Sequence, residues 1–299
     1  VNSSELIFSI IIPTRNRARL LERCIASILI QSFEDWELII VDDGSEDNTI
    51  SIVSNFNDSR ITYYFQNHQE RSAARNHGID QAKGRYVCFV DDDDTLKPDY
   101  LNDFYTYYEK NGFPNEILRT GFVRIEDNVE QKSALYDVEK HSNPIEFALF
   151  NMCGVVTLSI PREFLKKERF PIEFPHWQDT HLIIRLLLKY NFIQLNSFNY
   201  NYIQHDAMGS RLATRAYDPI ERAELNVSAM DDLFRQYGRR IGQFVPKKTL
   251  RFLKAEKYIE YANAVKKNEI MSGRKLLRRS IKEGFFFRLW KHYLIWLIR

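Results

Sequence analysis

Arg85-Tyr86-Val87-Cys88-Phe89-Val90 runs without a break into Asp91-Asp92-Asp93-Asp94. The first six residues, rich in β-branched and aromatic types, read as a buried strand. Four carboxylates then crowd its carboxyl end, where α/β sheets bind ligands. Side chains alternate along an extended chain, so Asp91 and Asp93 can share one face while Asp92 and Asp94 share the other. A divalent cation relieves their mutual repulsion. Hard oxygen donors favour Mg2+ or Mn2+, with a substrate diphosphate completing the shell. An isolated acidic run is as often a solvated turn, and the buried strand before it favours a site.

The pattern repeats outward from this point. Phe8–Pro13 (FSIIIP), Trp36–Val41 (WELIIV) and Arg60–Phe65 (RITYYF) are further strands. Between the first two, Leu21, Cys24, Ile25 and Ile28 recur at helical spacing. Ser72–Lys83 reads as a helix closed by Gly84. Strands separated by helices of this length predict βαβ units and a mostly parallel sheet, an α/β fold. Ile117–Ile125 predicts one or two strands, Gln131–Asn143 a polar loop, and Thr180–Tyr190 a helix. Phe192–Ile203 predicts two more strands, and the chain from Asp218 onward reads as helical.

Two more polar segments fall at the same sheet edge. Pro13-Thr14-Arg15-Asn16 ends the first strand and offers hydroxyl, amide and cationic groups to a nucleotide. Asp42-Asp43-Gly44-Ser45 ends the second. A carboxylate there can accept a nucleobase N–H or a ribose hydroxyl, although DDGS alone is also a common turn. Arg71 and Arg75 flank a helix start and suit a diphosphate. The sequence contains neither GxGxxG nor GxxxxGK[ST], which disfavours a dinucleotide site and a P-loop ATPase.

Composition sets the outer bounds. The 299 residues, 44% of them apolar, suffice for one large α/β domain with an appendage, or for two modest domains. Cys24, Cys88 and Cys153 form neither a disulfide framework nor a metal spacing, which suits a reducing cytosol. Val1–Phe8 has no signal-peptide pattern, and no apolar run reaches the roughly 18 residues of a membrane span. The net charge of +2 conceals an asymmetry: residues 246–299 hold 15 Lys/Arg against 4 Asp/Glu, a net of +11, leaving −9 elsewhere. Such a basic region suits phospholipid, nucleic acid or a phosphorylated acceptor, or is simply a solvated helical face. Its end, Gly284–Arg299 (GFFFRLWKHYLIWLIR), suits a helix lying among lipid headgroups; burial against the domain or a dimer contact are the alternatives.

FSIIIPTRNR (8–17), LIIVDDGSEDNT (38–49), SAARNHGIDQAKGRYVCFVDDDDTLKPDYL (72–101) and HWQDTHLIIRL (176–186) together resemble successive motifs of family 2 glycosyltransferases. The resemblance covers roughly Phe8 to Arg185 and is specific for the family, not for the sugar. It implies the GT-A fold, with residues 1–206 as the nucleotide-sugar-binding catalytic domain and 207–299 as a basic, mainly helical region. It implies that Pro13, Thr14 and Asn16 line the nucleotide pocket, that Asp43 takes the uracil N3–H, and that Arg75 lies near base or phosphates. The metal ligand of the family's D-x-D maps to Asp93, with Asp91 and Asp92 contacting ribose or metal-bound water; the four-aspartate run leaves the register open by one position. His205 corresponds to a late histidine ligand, with Ser210 and Arg211 closing over the diphosphate.

Gln178-Asp179 resembles the family's Glu-Asp pair, in which the aspartate is the catalytic base; here Gln replaces Glu. An acceptor hydroxyl attacking an anomeric carbon does need a carboxylate to take its proton. Asp179 also fits a plain helix N-cap. The expected reaction is an inverting transfer from a nucleotide-diphosphate donor, of the UDP class, to a glycan or lipid-linked hydroxyl. It would take place in the cytoplasm or at the inner membrane face, with peripheral contact to anionic lipid and without nucleic acid. The rivals are a metal-dependent nucleotidyltransferase, which would make no use of Asp179, and a non-catalytic carbohydrate- or membrane-binding protein on the same scaffold.

Overall fold

The computed structural model describes residues 6–137, 143–151, 154–204, 218–265, 270–284, 286 and 289. Its centre is a seven-stranded sheet. Strands β1 (Phe8–Thr14), β2 (Trp36–Asp42), β3 (Ile61–Phe65) and β4 (Tyr86–Phe89) are mutually parallel, β1 lying between β2 and β4. Beyond β4 come β9 (Leu158–Pro161), antiparallel to it, then β6 (Ile117–Arg119) and β10 (Phe192–Gln194). The chain leaves β1 toward β2 on one side and returns to β4 on the other. The crevice outside the ends of β1 and β4 is therefore a topological switch point. Pro13 sits just past the end of β4, where no ladder partner asks for the N–H it lacks.

A smaller four-stranded sheet joins β5 (Thr95–Leu96), β11 (Tyr200–Ile203), β7 (Phe122–Glu126) and β8 (Val129–Lys132). Part of the segment expected as a loop is thus paired. Asp127 and Asn128, with φ of 48° and 62°, make a two-residue turn whose twist suits a hairpin, and β8 pairs back on β7.

Helices cover both faces of the large sheet. Helix α1 (Ala18–Leu29) buries Leu21, Cys24, Ile25 and Ile28, as their spacing requires. Beside it lies α4 (Tyr100–Lys110), and Tyr108 of that helix stacks on Tyr86 at 3.6 Å. On the opposite face, α3 (Glu70–Gln81) starts two residues earlier than its apolar pattern suggests. Its buried side is mostly small, Ser72, Ala74 and Gly78, and this lets the helix lie directly on β1: a methyl on Gly78 would fall 2.4 Å from Ile11 Cγ2. The helix does not close on Gly84. Ala82 ends it in an extended conformation, and Gly84 serves to pass 2.5 Å from Ser9 N, measured from where its Cβ would be.

Helices α2 (Thr49–Ser54), α5 (Pro144–Asn151), α6 (Arg162–Lys167) and α7 (Gln178–Leu187) complete this part. The last three described helices are α8 (Pro219–Ile241), α9 (Lys247–Val265) and α10 (Ile270–Glu283). Val227, Met230 and Leu233 of α8 and Leu253 of α9 belong to the same apolar cluster as Ile11 and Phe89 of the sheet. Leu276 and Leu277 of α10 form a separate cluster with Ala255, Ile259 and Ala262. Among the described residues no helix is long and apolar enough to cross a membrane.

Candidate active site at the switch point

The ends of β1, β2 and β4 bring the three polar segments to one cleft. It is lined by residues including Pro13, Thr14, Asp43, Asp91, Asp92 and Asp93.

The aspartate run folds as a tight turn, with Asp94 N–H donating to the Asp91 carbonyl at 3.1 Å. Ligand oxygens of Asp91, Asp93 and Asp94 come within 4.8 Å of one another. Asp92 turns the other way, accepting from Thr14 Oγ1 at 2.8 Å and Arg17 Nη1 at 2.9 Å. Burial pushes its pKa up to about 6 against the pull of Arg17. Asp94 is wholly buried, accepting from the Tyr200 hydroxyl at 2.7 Å and the Ile203 N–H at 2.9 Å, so it ties the small sheet to the turn. Burial raises its pKa well above the usual carboxylate range. Asp91 and Asp93 reach the cleft wall and Asp94 does not. All-oxygen donors facing a cleft fit a hard divalent cation, Mg2+ or Mn2+ in type.

Asp43 holds Gln66 Nε2 at 2.7 Å, His68 Nδ1 at 2.7 Å and Gln69 N–H at 2.9 Å. These three fix its carboxylate at the cleft wall. Asn16, with φ of 53°, does not line the cleft. Its side chain accepts from Glu46 N–H at 2.7 Å, and its own N–H donates to Ser45 Oγ at 2.8 Å, so it clamps the β1 loop to the β2 loop.

Arg75 lies beneath the cleft, fully buried. Nη1 donates to Asp179 Oδ1 at 2.7 Å and Nη2 to Asp91 Oδ1 at 2.8 Å, joining the candidate base to the acidic turn. Asp179 stands in the first turn of α7, just after Trp177, whose φ of 63° is left-handed. A tryptophan held there stores strain, of order 1–3 kcal/mol, and such strain collects at functional sites. Gln178 is buried with its side-chain amide against the Pro175 and Phe174 carbonyls; an amide can turn its nitrogen to donate there, which a charged Glu could not do. Asp179 Oδ2 faces Gly154: a methyl there would stand 3.9 Å away.

Sequence reasoning missed Arg17, which also reaches Asp93 at 3.1 Å, as well as His68 and Tyr200. Arg17 belonged to the quoted PTRNR segment. His68 and Tyr200 carried no motif and reach the site only through the fold. His205, Ser210, Arg211, Cys153 and nearly all of the Gly284–Arg299 tail lie outside the described residues.

The fold has counterparts among solved structures. The fold matches Staphylococcus aureus TarS 1–349 in complex with UDP-GlcNAc at a TM-score of 0.64, covering 93% of this chain and 84% of that one at 19% identity. A mannosyltransferase from Pyrobaculum calidifontis, solved with GDP-Man and Mn2+, matches at 0.58 over 99% of this chain and 86% of that one, at 17% identity. The family description "Glycosyl transferase family 2" matches residues 9–176, and the chain belongs to that family; it is a glycosyltransferase. It is 31% identical over 218 residues to a GalNAc(5)-diNAcBac-PP-undecaprenol beta-1,3-glucosyltransferase of Campylobacter jejuni, spanning 70% of this chain and 69% of that protein. It is 30% identical over 195 residues to the UDP-Glc:alpha-D-GlcNAc-diphosphoundecaprenol beta-1,3-glucosyltransferase WfgD of Escherichia coli, spanning 64% and 74%.

Proposed function

We propose that the chain moves a sugar from a UDP-sugar to a hydroxyl of a lipid-linked glycan, with inversion at the anomeric carbon. The observation that carries this is Arg75, which sets Asp179 beside the acidic turn through paired bonds of 2.7 and 2.8 Å. A base for the acceptor thereby stands one guanidinium away from Asp91, on the wall offered to the donor diphosphate. The C. jejuni and E. coli relatives, named for undecaprenol-linked substrates, support the acceptor class. WfgD and the TarS complex support UDP.

In the proposed reaction the donor's base lies against Asp43 and Pro13. The acceptor oxygen attacks the anomeric carbon from the face opposite the diphosphate. Its proton passes to Asp179 Oδ2 as the bond from that carbon to the diphosphate oxygen breaks. Arg75 keeps Oδ1 occupied and so fixes which oxygen receives the proton. Asp93, with Asp91, and with His205 as a further ligand, would hold a Mg2+ or Mn2+ ion, whose charge offsets that of the departing diphosphate.

Residues 1–206 would form the catalytic domain and 207–299 an appended basic region. A lipid-linked acceptor would bring the protein to the inner face of the cell membrane. The test is a panel of nucleotide sugars assayed for released nucleotide diphosphate with Mg2+ or Mn2+, with Asp93→Ala and Asp179→Asn alongside. Transfer lost in both variants supports the reading. Full activity in Asp179→Asn, or use of a nucleoside triphosphate with release of pyrophosphate, overturns it.

A further inference from the structure

We propose that the exposed face of α10 docks this protein on an anionic lipid bilayer. The idea rests on the lipid-linked acceptor reading and adds the surface that would meet the lipid. From Arg274 to Lys282 the exposed side chains of α10 are Arg274, Lys275, Arg278, Arg279, Ile281 and Lys282. At 100° per residue these fall on one arc of roughly 160°. Leu276, Leu277 and Ser280 face the other way, packed on α9, with Ser280 Oγ donating to the Ala255 carbonyl at 2.9 Å. The helix thus presents five cations and one bare isoleucine, 46% exposed, on a single face.

That mixture selects the partner. Cations alone would serve a polynucleotide as well as a membrane. An isoleucine set among them gains only where an apolar layer lies beneath the charged one, as in the headgroup region of a bilayer.

The test is flotation of the full chain with vesicles of phosphatidylcholine alone and of phosphatidylcholine mixed with phosphatidylglycerol. The wild type is compared with the triple variant Lys275→Gln, Arg278→Gln, Lys282→Gln, whose fold is checked by its thermal melt. Each cation near an anionic surface is worth roughly a fivefold gain in partitioning, so the triple variant should bind the mixed vesicles roughly 100-fold more weakly. The wild type should float with the mixed vesicles, lose them as salt rises, and ignore phosphatidylcholine. Equal flotation of wild type and variant, or no flotation at all, would overturn the proposal. Those outcomes stand apart from the donor panel: flotation as expected with no sugar transfer would sink the functional reading and leave the surface standing.

Discussion

Arg75 and Asp179 are joined by a 2.7 Å bond in which the guanidinium is wholly buried and the carboxylate side chain keeps 26% of its exposure. The same guanidinium holds Asp91 at 2.8 Å. Its charge is thus balanced by two carboxylates on different elements, and its planar fork fixes both. A lysine has one compact ammonium and cannot reproduce that fork. Arg75→Lys is expected to lower kcat for transfer by roughly 100-fold, the smaller end of what a positioned base contributes. UDP affinity by calorimetry should stay nearly unchanged, because Arg75 does not line the cleft. A parallel loss of UDP binding would show instead that the residue supports the nucleotide wall.

Gly154 gives a second, cleaner probe of the same carboxylate. Its φ of −65° and ψ of 147° suit any residue, and among the described residues a methyl would meet only Val156 Cγ2 at 3.5 Å and Asp179 Oδ2 at 3.9 Å. The backbone therefore makes no demand for glycine there. Gly154→Ala and Gly154→Val should leave the melting temperature close to wild type while transfer falls stepwise with side-chain size, through a raised KM for the acceptor. Unchanged acceptor kinetics in Gly154→Val would mean that the hydroxyl reaches Asp179 from another side.

The strands that build the cleft were legible because each is a run of apolar residues ended by polar ones, and the sheet buries such runs on both faces. Asp42–Asp43 and Asp91–Asp94 could be placed at one edge for that reason alone. What the sequence could not supply is the direction of each carboxylate. Asp92 lines the cleft but also binds Thr14 and Arg17, and Asp94, unassigned, carries the small sheet through Tyr200. Alternation predicts faces for an extended chain, whereas these four residues turn. The β7–β8 hairpin was hidden because Val129–Lys132 (VEQK) is exposed throughout and shows no apolar alternation; its signal was the Asp127-Asn128 pair.

Gly84 makes a stability prediction. A Cβ there would lie 2.5 Å from Ser9 N, 2.6 Å from Phe8 C and 2.8 Å from Ser9 Oγ. Two of those atoms are backbone of the central strand and cannot swing away. Gly84→Ala must push the loop off β1, with overpacking costs of about 1–3 kcal/mol. It also disturbs the Gly84 N–H bond to Ser9 Oγ at 2.8 Å. Urea unfolding should show a lower midpoint with the slope unchanged. A wild-type midpoint would mean that the loop relaxes freely.

His181 sets an expected pH dependence of stability. It lies on α7 and is 4% exposed, with Nε2 3.2 Å from Asp232 Oδ2 on α8. Burial lowers its pKa below 6.5 and Arg185 on the same helix adds to the effect; Asp232, and Glu173 from the preceding segment, pull the other way without restoring it. The folded protein therefore resists protonation that the unfolded chain accepts. Above about pH 6.5 the ring is neutral in both states and its contribution is complete. As pH falls from there through the lowered folded value, unfolding takes up a proton and stability drops. Asp232 is itself held below its ordinary 3.8 by Arg235, Gln236 and His181, so its own loss belongs to a more acidic window. His181→Gln keeps a donor for Asp232 and removes the titration. Melting temperatures followed from about pH 8 down to about pH 5 should therefore fall more steeply for the wild type than for His181→Gln, and equal slopes would exclude His181 as the group responsible.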